Sequence, residues 1–591
     1  MSQNKLDGYL WFQAICSGAD HLIQHCQLLN KINVFPVADG DTGNNLTSLM
    51  RSIIQYAKPA PDFYQTALSI AKASLIGARG NSGTIFSQFF YGFVTNPTLI
   101  ELSLEEFCTL AEGAASSAKQ AIDRPVNGTI VSVMEEWAKA CYKLKDKVNS
   151  ITELFYESLK FAQEALKKTT ETLEVLRHAQ VVDAGAQGFV YFLEGMAAYL
   201  ENPKIKNEVK LDTIDIDFDE DHAEMVYPEK RYCTEALIAN VTISLVEIKK
   251  MLADLGDSTV VAGNAETARL HIHTNKPDSV MERLQLVSKI QQQKADDMLR
   301  QYEMTQRKTK KIALVTDSTA DIPQHLIDEY QIHVLPLQLQ VDESFYLDRL
   351  TMSSESLYRL MRDETQRHCL TTSMPNPGVI ERTLRQLQTH YDKILVISLS
   401  EGLSGTYKTI KTAAEKLNIE NIEIIDSSRA SGALGLLVLE AARMIEQEIP
   451  WDEIRQRIHR LKSSSNIYVA VNDLQFMIRS GRLSKTKGHI VQALKIKPIV
   501  SMDRQGKAIV YGKAFGFRAA LDKLLNILKE NQPDSYVITH GDCQGIAERV
   551  GKKIIQATGL APEYIMPASP VLGIHTGPGC IAIASLSKVN L

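Results

Sequence analysis

The chain has 591 residues, of which 44% are hydrophobic and 23% are charged, and its formal net charge is -5 at neutral pH. This length exceeds what one hydrophobic core usually serves, so it predicts several domains, and the slight excess of acid leaves no broad basic face for nucleic acid. No apolar run approaches the roughly 18 residues that a membrane span requires, so we expect no integral membrane segment.

The start of the chain and its cysteines indicate a compartment. The first residues lack the charged, then apolar, then small-residue pattern of an export signal. The 8 cysteines are scattered without a C-x-x-C pair, which favours reduced thiols over a disulfide framework. We therefore expect a cytoplasmic protein.

Residues 1 to 205 read as a series of amphipathic helices. Apolar residues recur three or four positions apart in TALSIAKASLIGA, SLEEFCTLAEGAASSAKQAI, ITELFYESLKFAQEALKKTTETLEVLRHA and GFVYFLEGMAAYL. The pattern predicts an all-α domain. The acidic stretch KLDTIDIDFDEDHAEM that follows has little helical periodicity, and we interpret it as an exposed connection.

Within this helical domain, the stretch NVFPVADGDTGNNL places Asp39 and Asp41 on either side of Gly40. A calcium EF-hand loop that began at Asp39 would need Gly and Glu where the chain has Asn44 and Met50. Two carboxylates on irregular backbone suit Mg²⁺ better, because this ion binds a few hard oxygens together with water and phosphate. An Asp-Gly turn with solvated carboxylates remains open as the structural alternative.

Three further stretches interrupt the helices with small residues. GARGNSGTIFSQFF spaces glycines around Asn81 and Ser82 just before a helical run, an arrangement that points backbone N–H groups at a phosphate. RPVNGTI and VVDAGAQGF also break the helical pattern, either for tight helix packing or for close approach to a ligand. From spacing alone, packing is the more frequent cause.

Taken in order, these motifs resemble the nucleotide-binding subunit of dihydroxyacetone kinases and, more closely, the ATP-binding protein of bacterial fatty acid kinase. The resemblance covers roughly residues 1 to 200 and implies that the domain binds ATP and Mg²⁺. It makes Asp39 and Asp41 catalytic Mg²⁺ ligands, with Asn33 as a third oxygen ligand. It also implies nucleotide contacts, at the phosphates by Asn45, Ser82 and Gly83 and around the nucleoside by Gly128, Thr129, Asp183 and Gly185. Ala38 and Asn44 replace the proline and threonine usual in the family, and neither change removes an implied ligand.

Residues 226 to 305 mix strands with helices. EALIANVTI, STVVAG and ARLHIHT read as strands and SLVEIKKMLADLG reads as a helix, which predicts a small α+β middle domain. The stretch RLQLVSKIQQQKADDMLRQYEMTQRKTKK that follows reads as a helix leading into a charged linker. We expect it to connect the middle domain to the rest of the chain.

The middle domain contains a candidate zinc site. Strand alternation puts Arg269, His271 and His273 on one face, and Cys233 offers a third ligand beside the two imidazoles. The structural alternative is that the histidines meet solvent and the cysteine packs in a core. The segment resembles the middle domain of the same kinase protein, and the resemblance implies Zn²⁺ at these three residues in a structural or regulatory role.

From residue 311 to 591, apolar strands alternate with helices, as in KIALVTDSTADIP, KILVISLSEGLSGTYKTIKTAAEKL, IEIIDSSRASGALGLLVLEAARMI and SYVITHGDCQGIAERVGKKII. This alternation predicts an α/β domain with a parallel sheet. LSGTY separates a strand from a helix, so its hydroxyl and N–H groups can hold an anion at the helix start. A plain N-cap is the structural alternative.

Several motifs of this region resemble, in order, the DegV family of fatty-acid-binding proteins: ALVTDSTADIP, TTSMPNPG, SLSEGLSGTYKTI, IIDSSRASGALG, RSGRLS and LGIHTGPGC. The resemblance implies a fatty acid ligand. It implies that the carboxylate is held by Thr372, Ser373, Ser400, Ser404, Gly405 and His575, with Arg518 as the cation. The chain departs from the family at Met374, where glutamine is usual, and YGKAFGFRAALDKL matches the basic pattern near Arg518 only loosely.

Together the resemblances imply an ATP-dependent fatty acid kinase, in which the helical domain phosphorylates an acyl carboxylate presented by the DegV-like domain. The acyl phosphate would serve phospholipid synthesis. A kinase of a small hydroxyl compound such as dihydroxyacetone and a non-enzymatic lipid-binding or transfer protein are the alternatives. We leave open the acyl chain preference, transfer in cis or in trans, a homodimer, and transient contact with a membrane or an acyltransferase.

Overall fold

The computed structural model describes residues 5–35, 40–203, 227–363, 368–483 and 496–587. The chain forms two compact units, Met1–Tyr302 and Glu303–Leu591. Within the described ranges, no helix combines the length and the apolar character needed to cross a bilayer.

The first unit begins with a layer of helices, as the apolar spacing predicts. The helices are α1 (Gly8–Gln24), α2 (Cys26–Lys31), α3 (Thr42–Tyr56), α4 (Phe63–Gly77), α5 (Gly80–Tyr91), α6 (Leu104–Ala121), α7 (Ile130–Leu144), α8 (Ile151–Thr172), α9 (Glu174–Ala179) and α10 (Ala184–Glu201). Two short strands, β1 (Lys5–Leu6) and β2 (Leu102–Ser103), pair antiparallel beside them.

Aromatic side chains fill the centre of this helical layer. Trp137 is 2% exposed or less, and its ring centroid lies 5.8 to 6.3 Å from four phenylalanine rings contributed by α5, α6, α8 and α10. These rings belong to Phe89, Phe107, Phe155 and Phe189. Large buried rings at such spacings stabilise a core through both area and edge contacts. The core therefore fixes the helices whose ends form the site described below.

The middle of the first unit is a small α+β region, as predicted. Its strands are β3 (Tyr232–Ala239), β4 (Gly256–Gly263), β5 (Thr267–Thr274) and β6 (Lys289–Asp297), and its helices are α11 (Leu245–Leu252) and α12 (Pro277–Gln285), followed by α13 (Met298–Gln306). The strands form one antiparallel sheet in the order β4-β5-β3-β6. The central strands of this sheet carry the candidate zinc ligands.

The prediction of one helix followed by a linker after residue 282 is wrong, because its centre is strand β6. This strand pairs with β3, and Lys294 lies opposite Glu235 while Asp296 lies opposite Cys233. Lys294 also forms an ion pair with Asp296. Pairing with a distant strand and with buried partners of opposite charge outweighs the weak local preference for helix.

The sheet shares a hydrophobic core with the helical layer. Leu237, Val260 and Ala262 pack in the same cluster as the aromatic residues of the helices. The backbone N–H of Gly263 donates to Gln88 Oε1 at 2.7 Å, which ties β4 to α5. Both faces of the sheet's central strands are therefore covered, and the polar face of β5 meets the helical layer.

The second unit begins with a parallel sheet, as predicted. Its first elements are β7 (Ile312–Asp317), a 3-10 turn (Ser318–Ala320), α14 (Gln324–Glu329), β8 (His333–Leu335), β9 (Gln338–Val341), β10 (Ser344–Leu347), α15 (Ser354–Arg362), β11 (Leu370–Ser373), α16 (Pro377–His390), β12 (Lys393–Ser398), α17 (Thr406–Lys416) and β13 (Ile422–Asp426). Strands β13-β12-β7-β8 form the parallel sheet, and β10-β9-β11 form a small antiparallel sheet beside it.

A second, mixed sheet completes this unit. The remaining elements are α18 (Gly432–Glu446), α19 (Trp451–Ser464), β14 (Ser465–Ala470), α20 (Gln475–Arg479), β15 (Ile496–Met502), β16 (Ala508–Phe515), α21 (Phe517–Asn531), β17 (Ser535–His540), α22 (Gln544–Thr558), β18 (Ile565–Pro567), α23 (Pro570–Thr576) and β19 (Ile581–Leu586). The strand order is β16-β15-β14-β19-β17-β18. The prediction that SYVITH continues a parallel sheet is wrong on one side, because β19 inserts antiparallel between β14 and β17.

Helix α18 lies between the two larger sheets of the second unit. It contacts β7 and β12 of the parallel sheet and β14, β17 and β19 of the mixed sheet. Its residues from Gly432 to Ala442 are all buried, which explains why the first eight, GALGLLVL, are apolar on every side.

Candidate functional site

The starts of four helices meet in the first unit. Asp41 precedes α3, Gly80 begins α5, Ile130 begins α7 and Asp183 precedes α10. A helix start carries partial positive charge and backbone N–H groups without intrahelical partners. We call this meeting point the helix-start junction, and its chemistry suits the phosphate groups of a nucleotide.

Close approaches at glycines hold the helix-start junction together. A Cβ atom on Gly80 would lie 2.6 Å from Asn45 Nδ2, so the start of α5 lies against α3. A Cβ atom on Gly185 would lie 3.0 Å from Ser82 Oγ and 3.4 Å from Asp183 Oδ1, so the start of α10 lies against α5. Glycine is favoured at position 80 because its φ of +59° is one that other residues rarely adopt, and a Cβ atom at position 185 would require Ser82 to move by a few tenths of an ångström.

Asp41 stands at the edge of the junction and fits a magnesium ligand. Its Oδ1 accepts a hydrogen bond from Asn45 Nδ2 at 2.7 Å, while the Oδ1 of buried Asn33 accepts one from Thr42 Oγ1 at 2.8 Å. Asp39, the second predicted carboxylate, lies outside the described residues. The oxygens of Asp41 and Asn33 are the hard donors that Mg²⁺ prefers, so these residues fit the ion that the resemblance implies.

Asp183 joins the starts of α7 and α10. Its carboxylate accepts the N–H of Ala186 at 2.8 Å and also a hydrogen bond from the backbone of Ile130. Burial raises the pKa of Asp183 to about 6, although these two hydrogen bonds act in the opposite direction. The charge at this corner of the junction therefore depends on pH.

The turn before α7 has a packing role of its own. Gly128 has a φ of +85°, and a Cβ atom there would lie 2.8 Å from Thr172 on α8. Its N–H donates to Ser132 Oγ at 2.9 Å, and Thr129 Oγ1 donates to the Val126 carbonyl at 2.9 Å.

The other predicted nucleotide contacts lie together at the helix-start junction. They are Asn45, Ser82, Gly83, Asp183 and Gly185.

The structure brings the three candidate zinc ligands together. Cys233 and His273 are register partners on β3 and β5, and one ligand atom from each of Cys233, His271 and His273 lies within 4.8 Å of the others. His271 is 2% exposed, and its Nε2 is buried without a hydrogen-bond partner among the described residues. One thiol and two imidazoles form a donor set that fits Zn²⁺.

The zinc candidates adjoin the magnesium candidate. Burial raises the pKa of the Cys233 thiol well above its ordinary value, and the charges of Glu235 and Asp41 add to that rise. Burial lowers the pKa of His273 to about 3, with a further contribution from His271. The imidazole of His273 is thus held in the neutral form that ligates metals.

Glu235 is a buried carboxylate at the junction that sequence reasoning missed. Its Oε1 accepts the N–H of Gly80 at 2.7 Å, and its Oε2 accepts a hydrogen bond from Arg269 Nη2 at 2.6 Å. Against the effect of burial, Arg269 and His271 hold the pKa of Glu235 well below its usual range. The available signal was strand alternation, because Glu235 lies two residues after Cys233 and faces the same side.

Thr372 and His575 form a polar pair in the second unit. Thr372 lies on β11, His575 lies in the last turn of α23, and Thr372 Oγ1 is 3.0 Å from His575 Nε2. His575 Nδ1 is buried and has no hydrogen-bond partner among the described residues. Burial lowers the pKa of His575 to about 3, and the charge of Arg482 contributes. A hydroxyl and a neutral imidazole with an unused nitrogen can together bind a carboxylate.

Arg482 is the arginine whose charge acts on His575, within the described part of the second unit. It follows Gly481 in the RSGRLS turn, and its Nη1 donates to the Ser480 carbonyl at 2.6 Å. The predicted cation, Arg518, is exposed in the first turn of α21. Among the described residues, the charge of Arg482 contributes to the lowered pKa of His575, whereas Arg518 is not among the groups that act on it.

The LSGTY turn lies next to the end of β11. Gly405 precedes α17, and a Cβ atom on it would lie 2.5 Å from Met374 Sδ. Thr409 Oγ1 donates to the same sulfur at 3.4 Å. Ser404 Oγ pairs with Thr406 Oγ1 at 2.8 Å and accepts the N–H of Thr406 at 3.3 Å. The strand that carries Thr372 is thus in contact with the helix start predicted to hold an anion.

Two further predicted residues have different surroundings. The hydroxyl of Ser400 is fully buried and donates to the Gly506 carbonyl at 2.8 Å, so it holds the turn between β15 and β16. It also accepts the N–H of Gly402 at 3.1 Å. Ser373 is exposed at the end of β11, next to Thr372. Of the residues predicted to hold the carboxylate, Thr372 and His575 are in direct hydrogen-bond contact.

Family models match three consecutive parts of the chain. Residues 36–198 match the DAK2 domain. Residues 229–305 match the FakA-like middle domain, which is named after fatty acid kinase. Residues 311–588 match the DegV family of uncharacterised proteins.

Each of the individual relatives described here matches about half of the chain. A DegV domain-containing protein of Clostridium acetobutylicum is 30% identical over 285 residues, which cover 47% of this chain and 100% of that protein. Protein YloV of Bacillus subtilis is 31% identical over 316 residues, which cover 51% of this chain and 57% of YloV. The chain thus spans little more than half the length of YloV. The crystal structure of DegV, a fatty acid binding protein from Bacillus subtilis, matches 47% of this chain and 100% of its own at 28% identity, with a TM-score of 0.44.

Proposed function

Since the chain belongs to the DegV family and joins its DegV domain to a DAK2 domain and a fatty-acid-kinase-like middle domain, we propose that it is an ATP-dependent fatty acid kinase. Its substrates are ATP and a fatty acid, and its products are ADP and an acyl phosphate. Phosphoryl transfer is assigned to the first unit and fatty acid binding to the second.

The helix-start junction is the observation that carries this proposal. Four helix starts meet there, and Asp41 and Asn33 stand beside them as hard oxygen donors. Such a place binds a triphosphate through N–H groups and helix dipoles. Mg²⁺ bound by Asp41 and Asn33 would supply positive charge against the phosphate oxygens.

The second unit supplies the acceptor. A fatty acid gains about 0.8 kcal/mol for each methylene buried in protein, so most of its affinity comes from the tail. We assign the orientation of the head to Thr372 and His575, which are in hydrogen-bond contact, and to Arg482, whose charge acts on His575. A hydroxyl, an imidazole nitrogen and a guanidinium match the two oxygens and the charge of a carboxylate.

The reaction needs no general base, because a carboxylic acid with a pKa of about 4 to 5 is ionised at neutral pH. One carboxylate oxygen forms a bond to the γ-phosphorus of ATP, and the bond from that phosphorus to the β-γ bridging oxygen breaks, so that ADP leaves. The difficulty is that two anions must meet. The N–H groups at the starts of α5 and α10 reduce that repulsion and align the triphosphate.

Trapping of the product tests this function. Purified protein is incubated with ATP, Mg²⁺, oleate and hydroxylamine, which converts an acyl phosphate into a stable hydroxamate. We expect hydroxamate formation that requires oleate and falls at least about a hundredfold in Asp41→Asn, because an electrostatic ligand of the triphosphate site is lost. Asp146→Asn is the matched control, since Asp146 is an exposed acid of the same unit. It should retain wild-type activity.

Other outcomes of this experiment would contradict the proposal. ADP formation that depends on dihydroxyacetone instead of oleate would indicate a kinase of small hydroxyl compounds. A protein that binds oleate and forms neither ADP nor hydroxamate would be a lipid carrier.

The proposal includes a place in metabolism. An acyl phosphate is a mixed anhydride, so the reaction that consumes it is acyl transfer, and we propose that the acceptor belongs to phospholipid synthesis. The 8 cysteines are all free thiols in the structure, which supports our proposal of a cytoplasmic location.

A further inference from the structure

The backbone N–H at the very start of α5 is bound by a side chain of the middle domain. Gly80 N donates to Glu235 Oε1 at 2.7 Å, between residues 155 positions apart in the chain. Gly80 is the first residue of the helix that carries Ser82 and Gly83. Glu235 thus takes one of the N–H groups that a helix start leaves without an intrahelical partner.

The carboxylate of Glu235 has a fixed orientation. Its second oxygen accepts Arg269 Nη2 at 2.6 Å, and His271 Nδ1 lies 3.7 Å from the first oxygen. Glu235 and Arg269 are 1% and 3% exposed. His271 and Lys294 are its register partners on the two neighbouring strands. Partners on both sides prevent the side chain from leaving the start of α5.

Burying the carboxylate of Glu235 costs free energy, so its contact with Gly80 suggests a functional role. A buried carboxylate is tolerated only when charged and polar partners surround it, and Arg269 alone would suffice for a pair within the sheet. The contact with Gly80 instead spans two domains and ends on a residue with a φ of +59°, a conformation that the loop needs to begin α5. The middle domain therefore acts on the backbone of the junction.

We propose that Glu235 is a positioning residue of the nucleotide site, which fixes the start of α5 through Gly80 so that the remaining N–H groups of the junction meet the phosphates of ATP. This inference rests on the proposed function of the first unit. It makes the middle domain part of the kinase machinery. Glu235 itself touches neither substrate.

Two double variants isolate the contact between Glu235 and Gly80. Glu235→Gln keeps an oxygen that accepts the Gly80 N–H, whereas Glu235→Met has a similar length and no acceptor. Each is combined with Arg269→Met, because an arginine left buried without its partner would destabilise both proteins. The two double variants share the loss of the carboxylate charge and of Arg269, and they differ in whether residue 235 carries an oxygen that can accept the Gly80 N–H.

The measurement is the Kd for ATP with Mg²⁺ by calorimetry, beside the Kd for oleate and the Tm. We expect the Gln double variant to bind ATP nearly as the wild type does and the Met double variant to bind it about tenfold more weakly, which corresponds to one lost hydrogen bond to a loop. Both should bind oleate equally. A role in general stability alone would move Tm and leave the two ATP affinities equal.

Three results would overturn the inference. Equal ATP affinity of the two double variants would show that the Gly80 contact does not position the site. Tighter ATP binding by the Met double variant would show that Glu235 competes with phosphate. Absence of ATP binding by the wild-type chain would overturn the proposed function itself, and this inference with it.

If the double variants do not fold, hydrogen exchange of the unmodified protein tests the hydrogen bond between Gly80 and Glu235. Hydrogen exchange without nucleotide should be slow at the Gly80 amide, because that N–H donates to a buried carboxylate. Exchange there as fast as in an exposed loop would contradict the proposed contact.

Discussion

Asp183 combines a helix cap with a buried charge, and this combination makes the stability of the first unit depend on pH. Its pKa of about 6 in the folded protein exceeds the ordinary value of 3.8, so the folded state binds more protons than the unfolded state between these values. Stability therefore falls as pH rises from about 4 to about 6 and stays lower above that range.

Asp183→Asn should remove this pH dependence while keeping a good capping side chain. We expect the variant to gain roughly 1 to 3 kcal/mol in the free energy of unfolding at pH 7 relative to the wild type, and nothing at pH 4. Urea unfolding of the first unit at both pH values measures this. The same difference between variant and wild type at pH 4 and pH 7 would contradict the explanation.

The hydroxyl of Thr372 offers a test of the proposed fatty acid site. Thr372→Val keeps the shape of the side chain and removes the group 3.0 Å from His575. We expect oleate to bind about tenfold more weakly, the effect of about 1.4 kcal/mol, with ATP affinity unchanged.

Titration with oleate measures the effect, and Thr371→Val is the matched control because Thr371 is an exposed neighbour on the same strand. An equal loss of oleate affinity in both variants would show that the Thr372 hydroxyl does not contact the fatty acid.

The sequence predicted several site residues whose signals lie in short motifs. Asp41, Ser82 and Gly185 come together at the helix-start junction, and Thr372 meets His575. Glu235 and Arg269 have no predicted role, because what distinguishes them is a contact with a residue distant in the chain. Arg482 has none either, because it is distinguished only by the effect of its charge on distant His575. Spacing reveals which residues share a strand face, but it does not reveal what covers that face.

At the scale of elements, the glycines at helix starts are more informative than glycines within helices. Gly80 has a φ of +59°, and a Cβ atom there would lie 2.6 Å from Asn45. Gly80→Ala should therefore destabilise the first unit by about 1 to 2 kcal/mol and weaken ATP binding, because alanine adopts this positive φ only with strain and its Cβ displaces the Asn45 side chain.

Gly113→Ala is the control for this substitution. Gly113 lies within α6, where the nearest atom to an added Cβ would be 4.0 Å away, so alanine should be neutral or stabilise the helix by up to about 1 kcal/mol. Thermal unfolding and ATP binding measure both variants. A Gly80→Ala protein as stable as Gly113→Ala would contradict the packing at the junction.

Helices with a clear 3.6-residue period were predictable from sequence, and so were the apolar strands of the parallel sheet. Strand β6 was not, because IQQQKADD has no apolar alternation and becomes a strand by pairing with β3. The position of β19 between β14 and β17 was also not predictable from local sequence, since it depends on pairing with strands that lie earlier in the chain. In both cases long-range pairing outweighed local preference.

At the scale of the whole molecule, the helical and middle regions share one core, and the DegV region forms its own unit. Joining the two proposed activities in one polypeptide gives each a high effective concentration at the other when the linker can span the two sites. If transfer occurs within one chain, the specific activity stays constant when the enzyme is diluted from about 10 μM to about 10 nM. An activity per molecule that falls with dilution would indicate transfer between chains.

The central claim is that a fatty acid carboxylate attacks the γ-phosphorus of ATP on this protein. Oleate labelled with ¹⁸O in both carboxyl oxygens tests it most directly, with the acyl phosphate cleaved by hydroxylamine and the released phosphate analysed by mass spectrometry. Hydroxylamine attacks the carbonyl carbon, so the bridging oxygen leaves with the phosphate. We predict phosphate that carries one ¹⁸O atom, whereas phosphate without the label would mean that no bond forms between the fatty acid and phosphorus.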